Sequence, residues 1–363
     1  MLTKRNYMGK DLFGDKFGRF YEFPKELALK GHDVVVCSMS YRYSPVSEIS
    51  PIELDRIHWY LHSIGENWGT GIFKWLSTIS RKIIEFSPNV IFTCSDALHV
   101  ILGCKLARKF NIPVVVDLYD NFESFGMTKL PGVSRAYRHS VKGADGVVCV
   151  SDPLRDYVIK TCQPTGKVDV IENAVVSDVF FPRNRDECRQ YFKLPPEQKL
   201  VCSIGGLHSN RGFNMLLDAV AILRQEINNL EIVIAGQKHR SINIRDKDWV
   251  HDFGNLPHQE IPKLLSAVDL AMVCNKDSSF GRYCFPQKAQ EIIANRTPIL
   301  AANIGVMSGV LRDFPQCLYD PDNVHSLVSA IRSQLVHKVS ADIEVMTWEQ
   351  QATKLNNFIK GIL

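Results

Sequence analysis

The feature that most constrains this chain is the recurrence of short apolar runs rich in β-branched residues, each followed by a stretch with helical spacing. In the first half the runs are 34–37, 90–94, 114–118, 147–150 and 168–171. Short apolar runs of this kind suit strands buried on both faces, and strands separated by helices pair in parallel. The segment 21–30 has helical spacing and ends at Gly31, a residue able to adopt the left-handed conformation that closes a helix. A second series of runs follows at 200–204, 231–235, 268–274 and 298–301, and the helix expected over 213–228 puts Leu216, Val220, Leu223 and Ile227 on one face.

Alternation of this kind builds doubly wound α/β domains, and 363 residues exceed the size at which a single core usually keeps growing. The expected division is a Rossmann-like domain over 1–180, a second over 181–345, and a helix over 346–363 that docks back on the first. Polar residues from Arg183 to Gln190, then Pro195 and Pro196, mark the change-over between Asp178 and Lys199.

Composition excludes several classes. Apolar residues make up 45% and charged residues 23%, ordinary for a folded globular chain. A net charge of +4 with scattered basic residues argues against nucleic acid as a partner. The ten cysteines include no C-x-x-C pair and several fall in the apolar runs, so buried free thiols in a reducing compartment are expected. The opening MLTKRNYMGKD has no apolar stretch for a signal peptide, and 90–107 carries Asp96, His99 and Lys105 and fails as a membrane span. A cytoplasmic protein is the expectation. The eleven histidines show no metal-ligand spacing, so no metal is implied.

Two segments carry chemistry. GGLHSNRG, from Gly205 to Gly212, joins a strand to a helix. Glycines there let backbone N–H groups approach a ligand, the helix N-terminus favours phosphate, and Arg211 adds a bidentate cation. The alternative is a tight chain reversal with no ligand. FGRYCFPQKAQEIIANRTPIL, from Phe280 to Leu300, places Pro286 in a first helical turn and Lys288 and Glu291 on one helix face. The lysine could neutralise a diphosphate and the carboxylate could accept two ribose hydroxyls; a surface ion pair is the alternative.

In order and spacing these segments, with FGRFYEFPKELALKGHDVVV, VVVDLYDNFES, ADGVVCVSDPLRDYV and KVDVIENAVVSDVFFP in the first half, resemble the group 1 (family 4) retaining GT-B glycosyltransferases, nearly end to end. The resemblance implies two Rossmann-like domains facing each other and a sugar moved, with retention and without metal or cofactor, from a UDP- or GDP-linked donor to an acceptor hydroxyl. It implies donor binding by Arg211, Lys288, Glu291, Gly205, Gly206 and Pro286, with Gly254 near the base and Gly18 at the phosphates from the opposite domain. Domain closure on the donor would follow. A glycan or lipid-linked acceptor in bacterial polysaccharide or glycolipid assembly is the implied context.

The chain departs from the pattern at four places. Tyr283 stands where many members have a glutamate, Gly206 where a phosphate-binding arginine is common, and Tyr119 where a histidine is frequent. Arg296 replaces a usual glycine, beside Asn295, which tolerates a left-handed cap. The missing glutamate and Tyr119 keep an inactive binding subunit open as a rival reading. A nucleotide-sugar epimerase of the same architecture is a second rival, against which the lack of a His/Glu pair for acid and base chemistry counts. A dinucleotide oxidoreductase lacks its G-x-G-x-x-G signature.

Asp117 and Asp120 fall at a strand's carboxyl end, where one could orient the acceptor, or either could cap a helix; Asp120 is the candidate catalytic residue beside Arg211 and Lys288. His208 reads as a solvated loop residue. Trp68, Phe73 and Trp75 with Lys74, Arg81 and Lys82 form an aromatic and basic stretch, suited to peripheral contact with the inner face of a membrane or to packing on its own sheet.

Overall fold

The computed structural model describes residues 1–7, 10–41, 48–49, 56–64, 68–124, 126–244 and 247–363. The chain divides into two compact units, Met1–Asn173 with Trp348–Leu363, and Ala174–Thr347. Residues 174–180 therefore belong to the second unit, not the first as expected. The reason is packing: Phe180 is buried in the second unit's core with Val179 against it, and the Val175 N–H donates to the Met346 carbonyl.

In the first unit the strands are β1 (Leu2–Lys4), β2 (Asn6–Tyr7), β3 (Lys10–Asp11), β4 (Val34–Ser40), β5 (Glu48–Ile49), β6 (Ile57–Ser63), β7 (Ile91–Cys94), β8 (Val114–Leu118), β9 (Gly146–Cys149) and β10 (Lys167–Val170). β2 and β3 form a small hairpin, and the others make one sheet in the order β10-β9-β8-β7-β1-β4-β6-β5. That sheet is parallel except for β5, which runs antiparallel to β6. Every residue of β7, β8 and β9 is buried, as their mainly apolar runs lead one to expect. β6 reads IHWYLHS with polar residues interleaved, which hides it from a search for such runs.

The second unit holds β11 (Lys199–Ile204), β12 (Leu230–Ala235), β13 (Val250–Asp252), β14 (Leu270–Val273), β15 (Ile299–Ala302) and β16 (Leu318–Tyr319), all parallel, in the order β13-β12-β11-β14-β15-β16. Alternate residues of β11 feed opposite cores: Leu200, Cys202 and Ile204 join one cluster, Val201 the other, which the helix Phe213–Leu223 covers. Both units thus have the doubly wound Rossmann-like form.

The C-terminal helix Trp348–Lys360 belongs to the first unit, where the Trp348 ring meets Phe23 edge-on at 5.4 Å and Asn356 Oδ1 lies 2.7 Å from His32 Nε2. All ten cysteines are buried free thiols. Among the described residues no helix is long and apolar enough to cross a membrane. The helix Trp68–Phe86 corrects the aromatic stretch: Trp75 is a core residue at 1% exposure, whereas Phe73 is 75% exposed. The Trp68 side chain lies outside the described residues.

Candidate active site

Within the second unit the strand order reverses between β11 and β14, and ligands of open α/β sheets bind outside the carboxyl ends of the strands at such a point. The loop after β11 supplies Gly205 to Gly212. Gly205 and Gly212 have φ of +88° and +83°, and Gly212 opens the helix Phe213–Leu223. Arg211 ends a single 3-10 turn, Ser209–Arg211, with its guanidinium 4.5 Å from the Phe280 ring centre. A Cβ on Gly206 would stand 3.4 Å from Arg211 Nη1 and from the His208 ring, so an arginine at position 206 would crowd both.

Lys288 lies in the helix Gln287–Ala294, and its Nζ donates to the Ile204 carbonyl at 3.5 Å. Arg211 and Lys288 therefore meet the same short stretch, residues 204–206, from two different helix starts. Burial lowers the Lys288 pKa and the Arg211 charge lowers it further, with the Cys274 thiol acting the other way. Two basic groups that both reach residues 204–206, one of them buried, can together hold an anion. Pro286 sits at the N-cap of the helix, just outside its first turn, and the Gln287 side chain anchors the helix by donating to the Ala174 carbonyl at 2.6 Å.

Glu291 is not the surface partner of Lys288. It is buried, and its Oε1 lies 3.0 Å from His258 Nε2, a residue no sequence signal singled out. No other hydrogen bond to this carboxylate is present among the described residues. Gly254 (φ +58°) follows β13, and its carbonyl accepts from the Gly236 N–H at 2.6 Å. Gly236 (φ +133°) is a further requirement: a Cβ there would run into the Gly205 carbonyl. The ends of β11, β12 and β13 are thus knit together by glycine backbones. His208 is half-buried, with its pKa lowered by burial and then by the Arg211 and His239 charges.

Gly18 and Asp120 belong to the first unit. Gly18 (φ +77°) is the N-cap of the helix Arg19–Leu29. Asp120 is buried beyond the end of β8, with its Oδ1 accepting from the Asn121 N–H at 2.8 Å. Asp117 is not available to an acceptor, because the Arg19 guanidinium holds both of its oxygens. Tyr119 accepts a hydrogen bond from Lys4 Nζ at 3.0 Å.

Comparison with known proteins follows this division. Residues 19–179 match the model of Glycosyltransferase Family 4, and residues 184–352 match Glycosyl transferases group 1. The chain is 30% identical over 159 residues to a D-inositol 3-phosphate glycosyltransferase of Mycolicibacterium smegmatis, a match that takes in 40% of this chain and 35% of that protein. The chain thus spans about a third of that curated relative. In structure it superposes on sucrose-phosphate synthase from Thermosynechococcus elongatus with a TM-score of 0.78 and 16% identity, covering 94% of this chain and 92% of that one. Anabaena HepE in complex with UDP-glucose gives 0.70 and 16%, covering 99% and 97%. One family model on each half, on a chain with this fold, shows that the protein belongs to the group 1 glycosyltransferases of the GT-B fold.

Proposed function

We propose that this chain is a glycosyltransferase that moves a sugar from a nucleotide diphosphate sugar to an acceptor hydroxyl, with retention. The observation that carries the proposal is the convergence of Arg211 and Lys288 on residues 204–206 at the switch point of the second sheet. Negative charge grows on the diphosphate as the glycosidic bond breaks, and fixed cations in a site poor in water stabilise that charge. Gly205, Gly206 and the helix after Pro286 bring backbone groups to the same edge, Glu291 takes the ribose hydroxyls, and Gly254 borders the base. Asp120, buried in the first unit, orients the acceptor. The HepE complex supports UDP over GDP as the carrier. With two cations supplying the charge, turnover without a divalent ion is expected.

We further place contact with an anionic membrane surface on the exposed face of the helix Trp68–Phe86, where Phe73, Lys74, Arg81 and Ile84 stand in solvent. A lipid-linked or glycan acceptor in polysaccharide or glycolipid assembly would be met there.

The test is a thermal-shift screen of nucleoside diphosphates and their sugars, followed by donor hydrolysis with the best binder. A ligand at about 100 times its Kd stabilises by about 2.7 kcal/mol. Stabilisation by UDP with slow release of sugar from the UDP-sugar is the expected result. Binding with no release, with or without acceptor, would leave a binding subunit instead of an enzyme.

A further inference from the structure

A cavity of about 360 Å³ opens at the carboxyl edge of the first unit's sheet, with Lys4, Tyr41, Ser95, Asp96, Tyr119 and Phe122 in its wall. Its position is that of a ligand site. Lys4 ends β1 and Ser95 follows β7, and β1 and β7 are the neighbours at which the strand order reverses. The volume falls in the range of about 300–1,000 Å³ that holds small ligands.

The charge in the wall is unevenly settled. Asp96 is committed: its Oδ1 takes the His99 backbone N–H at 3.0 Å and lies 2.9 Å from His99 Nδ1, while its Oδ2 accepts from the Tyr41 hydroxyl at 2.8 Å. Lys4 is not. Its Nζ donates to the Tyr119 hydroxyl at 3.0 Å and stands 5.5 Å from the centre of that ring, and among the described residues no carboxylate comes within ion-pair distance of it. An ammonium has three donors, so an oxygen entering the cavity finds donors to spare. Burial pulls the Lys4 pKa down, and the fields of Asp96 and Asp120 recover part of the shift.

The backbone is held for this arrangement. Ser95 has φ +88°, a conformation that an L residue keeps when its surroundings impose it, and its Oγ accepts from the Lys4 N–H at 3.0 Å. Beyond it Asp96 caps the helix Ala97–Phe110, and Ala97, its first residue, lines the cavity.

We propose that this cavity takes an anionic sugar, whose carboxylate or phosphate oxygens accept from Lys4 Nζ while its ring lies against Tyr119 and Phe122. In identifying the occupant as the acceptor, it rests on the transferase reading above. A charged oxygen is favoured over a hydroxyl because an anion neutralises the buried ammonium, whereas a neutral ligand would leave that desolvated charge unpaired. A sugar is favoured over a bare anion because aromatic rings make up much of the wall and the space far exceeds one ion.

Titration calorimetry on the full chain tests this with glucuronate, glucose 6-phosphate, glucose and inorganic phosphate as probes, and with UDP titrated separately. One or both acidic sugars should bind the native protein at least tenfold more tightly than glucose. Lys4→Met, which keeps the stem and removes the charge, should erase that preference and leave UDP binding unchanged. Equal binding of glucose and both acids, no binding of any sugar, or a preference that survives Lys4→Met would overturn the proposal. So would inorganic phosphate binding as tightly as the acidic sugars, which would mark a bare anion site. The comparison on the native protein stands if Lys4→Met does not fold. A preference for acidic sugars in a protein that no nucleoside diphosphate stabilises in the thermal-shift screen would uphold the cavity and sink the transferase reading instead.

Discussion

Arg19 holds Asp117 through two hydrogen bonds, Nη2 to Oδ1 at 2.7 Å and Nε to Oδ2 at 3.0 Å, with both side chains closed to solvent. The same guanidinium donates to Asn173 Oδ1 at 2.9 Å and to the Ile171 carbonyl at 3.1 Å. It therefore ties the helix that opens at Gly18 to the end of β8 and to the chain beyond β10. Removing one member of a buried pair strands the other charge, at a cost of about 3–5 kcal/mol. Asp117→Asn should lower the urea midpoint accordingly, whereas Asp120→Ala should act mainly on turnover. An unmoved midpoint for Asp117→Asn would show that the pair does not hold the loop.

Arg211→Ala and Lys288→Ala should each lower turnover by roughly 10² to 10³, more than they lower stability, since their charges matter most as the diphosphate leaves. Glu291→Ala should mainly weaken nucleoside diphosphate binding, because ribose hydroxyls do not change charge in the reaction. Steady-state kinetics with the true donor, alongside melting curves, would check both. Full activity in all three folded variants would leave the resemblance one of fold alone.

His208 gives a pH dependence of definite sign. Its pKa in the folded chain lies below that of the unfolded chain, through burial first and then the Arg211 and His239 charges. The unfolded state thus binds the proton more readily, and stability declines as pH falls below the ordinary histidine value of about 6.5. His208→Gln should flatten that part of the profile in chemical unfolding run from pH 7 downward. A nucleoside diphosphate beside Arg211 supplies the opposite charge and raises the His208 pKa, so its binding should take up protons. Calorimetry in buffers of different ionisation enthalpy would read that uptake.

At the end of the helix Gln287–Ala294 the left-handed residue is Arg296, at φ +52°, while Asn295 keeps a helical φ of −80°. An exposed arginine thus occupies the conformation that the family pattern gives to glycine, against the expectation that Asn295 would absorb it. Arg296→Gly should raise stability by about 0.5–1 kcal/mol, the relief of strain exceeding the entropy lost on fixing a glycine. A lower urea midpoint for this variant would mean that the arginine side chain contributes more than the strain costs.

For the membrane face, Phe73→Asp should reduce sedimentation with anionic vesicles at low salt, where attraction to Lys74 and Arg81 is least screened. Native protein that stays in the supernatant under those conditions would end this proposal.

What the sequence determined by itself was whatever depends on neighbours along the chain. Short, mainly apolar runs such as VVVDL and LAMV announce strands buried on both faces, and glycines at 205 and 212 announce turns, because burial and φ are local demands that residue type records directly. β6, with polar residues interleaved, and the short strands β13 and β16 left no such record. The site itself needed the tertiary structure. Nothing in the spacing of Glu291 and His258 shows that they bond, nor does the sequence show that Phe280 lies under Arg211 or that Gly236 must be bare to clear the Gly205 carbonyl. The sequence likewise put Asp117 and Asp120 at the same strand end and gave no sign of Arg19, which the sheet brings to Asp117. Lys4, Ser95 and Tyr119 lie far apart along the chain, and they meet because parallel pairing sets the carboxyl ends of β1, β7 and β8 side by side. Contacts between such distant residues are fixed by strand order and register, which no window of sequence contains.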